Sequence, residues 1–399
     1  MPFYSRLLAP LRREKRLLPL IVMVGCIMAG TGIIAPVLSL YAQTMGVSST
    51  LVGLLVTIFG VGRLMANLPA GYLSQKIGRR PLLAAGPIIV AFSAAGAALT
   101  DSFTVLLAWR FLQGVGSGIY MTTSMAALAD ISPPASRAGN LSLYQASVQL
   151  GATLGPALGG YLANYFGYTA PFWAYMLVGL AAAALAIFAF EDTLNKADAR
   201  KPLPSSVSKR GMMTAPFTAI CLLAGMVFFT RAATLFQLIP ILGHDSFGLS
   251  VGEVGLALTV NAGMNFVALP IASPLIDRFG VRVMVFAAAM GSAGSLALIY
   301  AAPSAFWFWV GVTFLGISSG LSYPATSSFT IACLPRERYG PGMGMQRTFG
   351  DVGFVVGPVI VGALSDASGT QLAGTSLNVG LLIVAALAFL YGSRGMRRD

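Results

Sequence analysis

Five ionisable side chains lie inside long apolar stretches of this 399-residue chain: Arg63, Arg110, Arg231, Arg347 and Asp351. A charge near the centre of a membrane helix costs about 2.5–3.5 kcal/mol, so such residues usually mark a functional site. Arginine offers paired N–H donors that suit an anion, and a buried carboxylate can take up and release a proton. These residues therefore predict a site for an anionic or zwitterionic small molecule beside a proton-binding group.

The predicted proton-binding group is Asp351, with Arg347 and Arg110 as its partners in coupling. Asp351 is the only carboxylate well inside a predicted apolar span. Arg347 lies one helical turn away, and an alternative interpretation is that the two charges only neutralise each other. Second candidates for proton binding are Glu253 and Asp130, which lie near the ends of their spans.

Polar and aromatic side chains on the same spans are candidates for ligand binding. With the arginines, the candidate set is Arg63, Asn67, Arg110, Gln113, Tyr120, Tyr144, Arg231, Gln237, Asn265, Tyr323 and Gln346. Each has a structural alternative, because polar side chains within spans also join neighbouring helices. His244 is expected in an outer loop. Cys26, Cys221 and Cys333 are too far apart for a metal-ligand spacing, so we expect no metal, disulfide or cofactor.

The elements that must position these residues are membrane-spanning helices. Hydrophobic residues make up 56% of the chain and charged residues only 10%, whereas a soluble domain has roughly a quarter charged residues. About twenty apolar residues span the hydrocarbon core. The predicted spans are about 17–43, 51–74, 81–99, 103–129, 139–165, 170–190, 216–242, 251–276, 283–301, 305–333, 342–364 and 373–392. The sequence thus predicts an all-α membrane protein with six-helix bundles at 1–190 and 216–399 and a linker at 191–215.

Lysines and arginines outside the spans fall in alternate connections, on one side only. By the positive-inside rule, both termini and the linker are predicted to be cytoplasmic, in a bacterial inner membrane. The net charge of +12 is explained by these connections, so no nucleic-acid partner is expected. The expected partners are the bilayer, protons and a small-molecule substrate.

A glycine pattern occurs twice in the chain. Gly151, Gly155, Pro156 and Gly160 recur 202 residues later as Gly353, Gly357, Pro358 and Gly362. Glycines three or four apart lie on one helical face and let another helix approach closely. The repeat predicts that the two halves of the chain have similar structures, with the glycine-rich spans five and eleven forming a sliding contact between them.

Several motifs resemble those of the major facilitator superfamily, and the resemblance covers nearly the whole chain. The stretch 71–80 resembles the signature of the superfamily's 2–3 loop, Arg110–Gly116 its fourth-helix motif, and 151–160 a fifth-helix motif associated with antiporters. Residues of the loop signature and of its partial repeat are Gly71, Gln75, Gly78, Arg79, Arg80, Asp277, Arg278 and Gly280. The resemblance implies two six-helix bundles, similar to the twelve-helix drug or metabolite:proton antiporters, working as a monomer.

One position departs from the loop signature. Gln75 occupies the place where the superfamily usually has an aspartate that latches the halves together on the cytoplasmic side. The latch is therefore expected to be weaker here. Asp130, at the end of span four, is expected to pair with Arg79 or Arg80 instead.

These observations predict a secondary active transporter, not an enzyme. The predicted activity is proton-coupled antiport that exports a small anionic or zwitterionic organic compound by alternating access. The alternatives are proton-coupled uptake of an organic anion and a transport-inactive membrane sensor. The sequence has no phosphate-binding Gly-x-x-x-x-Gly-Lys-Ser/Thr loop, which excludes an ATP-driven pump of the P-loop type.

Overall fold

The computed structural model describes residues 14–133, 136–193, 213–335 and 338–394. These ranges contain twelve long helices and no strand, which confirms the all-α fold class. In chain order the helices are α1 (Leu17–Thr44), α2 (Ser49–Ile77), α3 (Arg79–Ala98), α4 (Phe103–Asp130), α5 (Arg137–Phe166), α6 (Ala170–Phe188), α7 (Ala215–Ser246), α8 (Val251–Phe279), α9 (Val281–Tyr300), α10 (Ala305–Ala332), α11 (Tyr339–Ser368) and α12 (Gln371–Gly392).

Ten of these helices are long and apolar enough to cross a membrane. The other two, α4 and α5, are equally long but richer in small and polar residues. Helix α4 carries Arg110 and Gln113, and α5 carries Asn140, Gln145 and Gln149. Candidate binding residues thus lie on both of these helices, as they do on α2, α7, α8, α10 and α11.

Helix α7 departs from regular α-helical geometry at two places. Thr234–Leu238 and Leu242–Ser246 form π turns on either side of a short α-helical turn at Ile239–Ile241. Pro240 lies between them and has no N–H for the regular bond to the preceding turn. The helix ends at Ser246, a few residues beyond the predicted end of span seven. His244 lies in the second π turn rather than in a loop, and its Nδ1 is 3.0 Å from the Leu249 carbonyl oxygen.

The chain forms two compact units, which do not coincide with its two sequence halves. Unit 1 comprises the described residues of Met1–Tyr41 and Ile58–Pro202, and unit 2 those of Ala42–Thr57 and Leu203–Asp399. The end of α1 and the start of α2 thus pack with the second half of the sequence. Most of the predicted linker lies outside the described residues.

Helix packing repeats between the units. In unit 1, α3 packs against α4 and α6, and in unit 2 the corresponding α9 packs against α10 and α12. Large buried side chains fill both interiors, with Tyr120 and Phe190 in unit 1 and Phe217 and Phe389 in unit 2. The 202-residue sequence repeat is therefore also a repeat of structure.

The repeated glycines allow close helix contacts, but within each unit. In unit 1, a methyl group at Gly151 or Gly155 would overlap the backbone of α1, and Gly159, one position before the predicted Gly160, approaches Ile33 in the same way. In unit 2, Gly353 and Gly357 meet the backbone of α7. The prediction of close packing is confirmed, and these glycines contact a helix of their own unit. The sliding contact of spans five and eleven between the halves stays a prediction.

Pro156 and Pro358 lie inside the same helices, α5 and α11. Gly362 contacts a different segment from Gly353 and Gly357. A methyl group there would overlap Ser49 and Thr50 at the start of α2, which belong to the same unit. Helix α11 thus approaches two neighbours closely, with glycines on different faces of the helix.

Candidate functional site

The candidate binding residues divide between the units. In unit 1, Arg110 is buried, its guanidinium donates to Gln113 Oε1, and it lies 4.7 Å from the centre of the Phe59 ring. The amide nitrogen of Gln113 is buried and has no hydrogen-bond partner among the described atoms. Arg110 is thus held by its own helix and by a cation–π contact with α2.

Other polar candidates of unit 1 join helices. Thr122 donates a hydrogen bond of 3.1 Å to Asn67 Oδ1, between α4 and α2. The hydroxyls of Tyr144 and Ser124 are 2.7 Å apart, between α5 and α4. These contacts support the structural alternative for Asn67 and Tyr144.

Two further candidates of unit 1 differ in their exposure. Arg63 is half-buried on α2, and its backbone contacts Gly118. Tyr120 is fully buried, with a hydroxyl that has no partner in the described part of the chain.

In unit 2, the predicted proton site is an ion pair. Arg347 Nε and Asp351 Oδ1 are 3.4 Å apart, one turn apart on α11. Asp351 is buried, whereas about half of the Arg347 side chain is exposed. The Arg347 guanidinium also lies 5.5 Å from the centre of the Phe228 ring on α7. The carboxylate is therefore held by a cation that is itself anchored to a second helix.

Arg231 lines a cavity of unit 2, about one turn beyond Phe228. The cavity is lined by Val227, Thr230, Arg231, Thr234, Leu235, Ser292, Leu315, Ser319 and Leu382. Arg231 is the only charged residue among these lining residues and is exposed. The sequence analysis did not name the threonines and serines of the cavity as binding residues. The Thr-Arg-x-x-Thr spacing on one apolar span could have indicated Thr230 and Thr234.

The remaining candidates of unit 2 do not line this cavity. Gln237 Nε2 donates to the Ser49 carbonyl oxygen at 3.0 Å, so its amide joins α7 to the start of α2. Asn265 and Gln346 are buried, on α8 and α11, and Tyr323 on α10 is exposed. The structure therefore brings Arg231 together with hydroxyls rather than with these predicted partners.

The loop signature forms a charged cluster within unit 1. Arg79 Nε is 3.0 Å from Asp130 Oδ2, which confirms the predicted pairing. Arg79 also donates to Ser74 Oγ at 2.6 Å, and its backbone N–H donates to Asp192 at 3.0 Å. Gly78 has a φ of 101°, and a methyl group there would overlap Asp192. Asp192 was missed by the sequence analysis, although it closely follows span six.

The other residues of the signature are placed as follows. Gly71 is half-buried, and a methyl group there would make only ordinary contact with Thr122. Gln75 is half-buried on the last turns of α2, and Arg80 donates to the Ile187 carbonyl. The unit 2 counterpart of Arg80, Arg282, donates in the same way to the Leu390 carbonyl. Both arginines thus satisfy a backbone oxygen near the end of the neighbouring helix.

The rest of the repeated signature is exposed in unit 2. Gly280 repeats the positive φ of Gly78, at 84°. Asp277 and Arg278 are exposed, and Arg278 lies over the ring of its neighbour Phe279. The buried arginine cluster of unit 1 therefore has no such counterpart among these residues.

A second carboxylate of α11 binds the start of α2. Asp366 accepts hydrogen bonds of 2.8 Å from the backbone N–H groups of both Ser49 and Thr50, and one from the Thr50 hydroxyl. All three residues belong to unit 2. A carboxylate at a helix N-terminus satisfies free N–H groups and interacts favourably with the helix dipole. No sequence motif indicated this contact.

Among the described residues, no group of three histidine, cysteine, aspartate or glutamate side chains could hold a metal ion. The secondary candidate Glu253 instead caps α8: Ser250 and Glu253 bond each other's backbone N–H groups. Its carboxylate is exposed.

Comparisons with known proteins agree with this architecture. The quinolone resistance protein NorA of Staphylococcus aureus (strain MSSA476) is 26% identical over 379 residues, covering 90% of this chain and 95% of NorA. MJ1560, an MFS-type transporter of Methanocaldococcus jannaschii, is 23% identical over 347 residues, covering 86% and 89% of the two chains.

Solved structures share the fold. A bacterial homologue of the human lysosomal transporter Spinster, in an inward-facing and occupied conformation, superimposes with a TM-score of 0.79 at 17% identity, covering 95% of this chain and 96% of the homologue. The model of the Major Facilitator Superfamily matches residues 20–252 and 220–397. Together these matches cover nearly the whole sequence, and the chain belongs to the Major Facilitator Superfamily.

Proposed function

We propose that the protein is a proton-coupled antiporter that exports a small anionic or zwitterionic organic compound by alternating access. The observation that carries the proposal is the ion pair on α11 between the buried Asp351 and the half-exposed Arg347, beside the helix that bears Arg231. The similarity to a quinolone resistance protein supports export of a harmful compound. We further propose a monomer in a bacterial inner membrane, with both termini and the linker cytoplasmic.

The direction of coupling depends on what competes for Asp351. The cationic group of a zwitterionic substrate and a proton would both bind the Asp351 carboxylate, so one displaces the other. Such competition produces antiport, because the carrier returns with a proton after releasing the substrate. The anionic group of the substrate would meanwhile interact with Arg231.

A purely anionic substrate favours the second candidate function, proton-coupled uptake. When Asp351 is protonated, Arg347 loses its counter-charge, which leaves two cations, Arg347 and Arg231, near α7. An anion would then bind more tightly in the protonated state. Proton and anion would move together, and the inward proton gradient would drive uptake.

Purified protein in liposomes with an imposed proton gradient tests the proposal. Libraries of zwitterionic and anionic compounds are added, and internal pH and compound accumulation are measured. We expect antiport with zwitterions, with substrate affinity that falls as pH is lowered. In Asp351→Asn, gradient-driven accumulation should disappear while exchange of labelled compound continues at lower affinity, because Arg231 remains but the carboxylate that binds the proton and the cationic group is lost.

The control is Asp101→Asn, which removes an exposed carboxylate between α3 and α4, outside the loop signature and its repeat. It should retain coupled transport. A substrate affinity that rises as pH is lowered would contradict antiport and favour proton-coupled uptake of an anion. Coupled transport in Asp351→Asn at the wild-type rate would contradict the role of the ion pair.

A further inference from the structure

We propose that the cavity around Arg231 binds the carboxylate group of the transported compound. This inference rests on the proposed function and names the chemical group that unit 2 recognises. The cavity lies among α7, α9, α10 and α12 and has a volume of about 20 Å³. One water needs roughly 10–15 Å³ on the same measure, so the cavity has room for a small polar group.

Two hydroxyls at the cavity have no partner. Thr230 is 4% exposed and Thr234 is 1% exposed. Their hydroxyl groups are buried, and neither has a hydrogen-bond partner among the described atoms. A buried polar group without a partner is costly. A ligand that accepts hydrogen bonds would remove that cost.

Other threonines of unit 2 show that a threonine in a helix need not have an unbonded hydroxyl. Thr313, Thr326 and Thr330 each donate their hydroxyl to a carbonyl oxygen four residues earlier. That bond is the usual way for a helical threonine to satisfy its hydroxyl. Thr230 and Thr234 lack it and line the cavity instead.

The charge at the cavity selects an anion. Arg231 is the charged residue of the lining, and the charge of Arg347 also acts on it. An ionised carboxylate only accepts hydrogen bonds, which matches guanidinium and hydroxyl donors. Its planar pair of oxygens also suits the arginine fork. Apolar side chains such as Leu315 and Leu382 would contact the carbon atoms next to the carboxylate.

The backbone of α7 changes at the same place. The first π turn begins at Thr234, directly after the turn that carries Thr230 and Arg231. Single π turns inside α-helices are frequent at functional sites. This observation concerns the main chain and is independent of the unpaired hydroxyls.

The test compares the double variant Thr230→Val/Thr234→Val with the wild type. Valine has the shape of threonine without the hydroxyl, so the fold should be retained. Thr330→Val is the control, because that hydroxyl is also buried but already bonded within its helix. The probes are benzoate, its neutral analogue benzamide, and inorganic phosphate, each measured by ligand-induced thermal stabilisation of detergent-purified protein.

We expect benzoate, but not benzamide or phosphate, to stabilise the wild type and Thr330→Val. In the double variant, benzoate affinity should fall at least tenfold. The ligand-free double variant should be as stable as the wild type or more stable, because two unsatisfied hydroxyls are removed. A threonine with a purely structural role would show the opposite, a less stable protein.

Unchanged benzoate affinity in the double variant would overturn the inference, as would an equal response to phosphate or to benzamide. The inference and the proposed function fail separately. Threonine-dependent benzoate binding without proton-coupled transport would contradict only the antiport. Coupled transport of carboxylates that is unaffected by the double variant would contradict only the carboxylate site.

Discussion

Arg79 illustrates how one charged residue organises an end of a helix. It is buried at the first position of α3, and its side chain bonds both Asp130 and Ser74. A buried arginine is stable only when its charge is compensated. Asp130 provides this charge, and Thr193 also donates to it at 2.9 Å.

Asp130→Asn should therefore destabilise the protein. The amide keeps the shape but removes the negative charge beside Arg79. Loss of one partner from a buried pair costs about 3–5 kcal/mol, and the partial exposure of Asp130 reduces our expectation to about 1–2 kcal/mol. Thermal unfolding in detergent measures the change, with Asp277→Asn as the exposed control. Equal melting temperatures for both variants would contradict the argument.

The sequence alone predicted some of these residues, and the reason lies in their type. Arg231, Arg347 and Asp351 stand out because charges are rare in apolar spans, and Arg79 stands out because it belongs to the loop signature. Thr230 and Thr234 do not, because threonine is common in membrane helices and its significance depends on whether its hydroxyl is bonded. That property exists only in three dimensions.

At the scale of helices, glycine fixes which elements touch. Helix α5 lies against α1 and helix α11 against α7, in both cases with backbone atoms where a side chain would otherwise lie. The sequence repeat predicted the contact surface, since the glycine spacing defines a face. It could not predict the partner helix, because glycine has no side chain that could identify one. The π turns of α7 were likewise not predicted, because proline alone marks only an interruption.

Gly155→Ala should lower stability, since even one methyl group would overlap the Ala29 carbonyl and the helices would have to separate. Overpacking of this kind costs about 1–3 kcal/mol. Gly294→Ala, on α9, is the control because its methyl group would meet no atom within 4 Å. There alanine should be neutral or stabilising by up to about 1 kcal/mol. The measurement is the thermal unfolding of both variants in detergent. A Gly155→Ala variant as stable as the wild type would contradict close packing of α5 on α1.

At the scale of the whole molecule, the division into units crosses two helices. Residues 42–57 pack with unit 2, while the rest of α1 and α2 belongs to unit 1. Asp366, Gln237 and Gly362 all contact the start of α2. If the units rearrange during transport, either these contacts break or both helices bend where they pass from one unit to the other.

A reversible cross-link tests whether the contact must break. Thr50→Cys/Asp366→Cys, in a protein without Cys26, Cys221 and Cys333, should form a disulfide on oxidation, since the two side chains are in contact. Transport in liposomes should then stop and return on reduction. The control pair Ser365→Cys/Gln371→Cys links α11 to α12, whose side chains are 3.0 Å apart, and should remain active. Full transport with the first cross-link would show that the contact persists throughout the cycle.

The Asp366 contact also has a consequence for how the chain is made. The start of α2 leaves the ribosome 316 residues before the carboxylate that binds it. At about 5–20 residues per second this is an interval of roughly 15–60 s. Unit 2 therefore cannot be completed until α11 is synthesised, and the first residues of α2 spend that interval in the membrane without their final partner. Biosynthesis of this protein is not the folding of one half followed by the other, because its second unit begins with a segment of the first half.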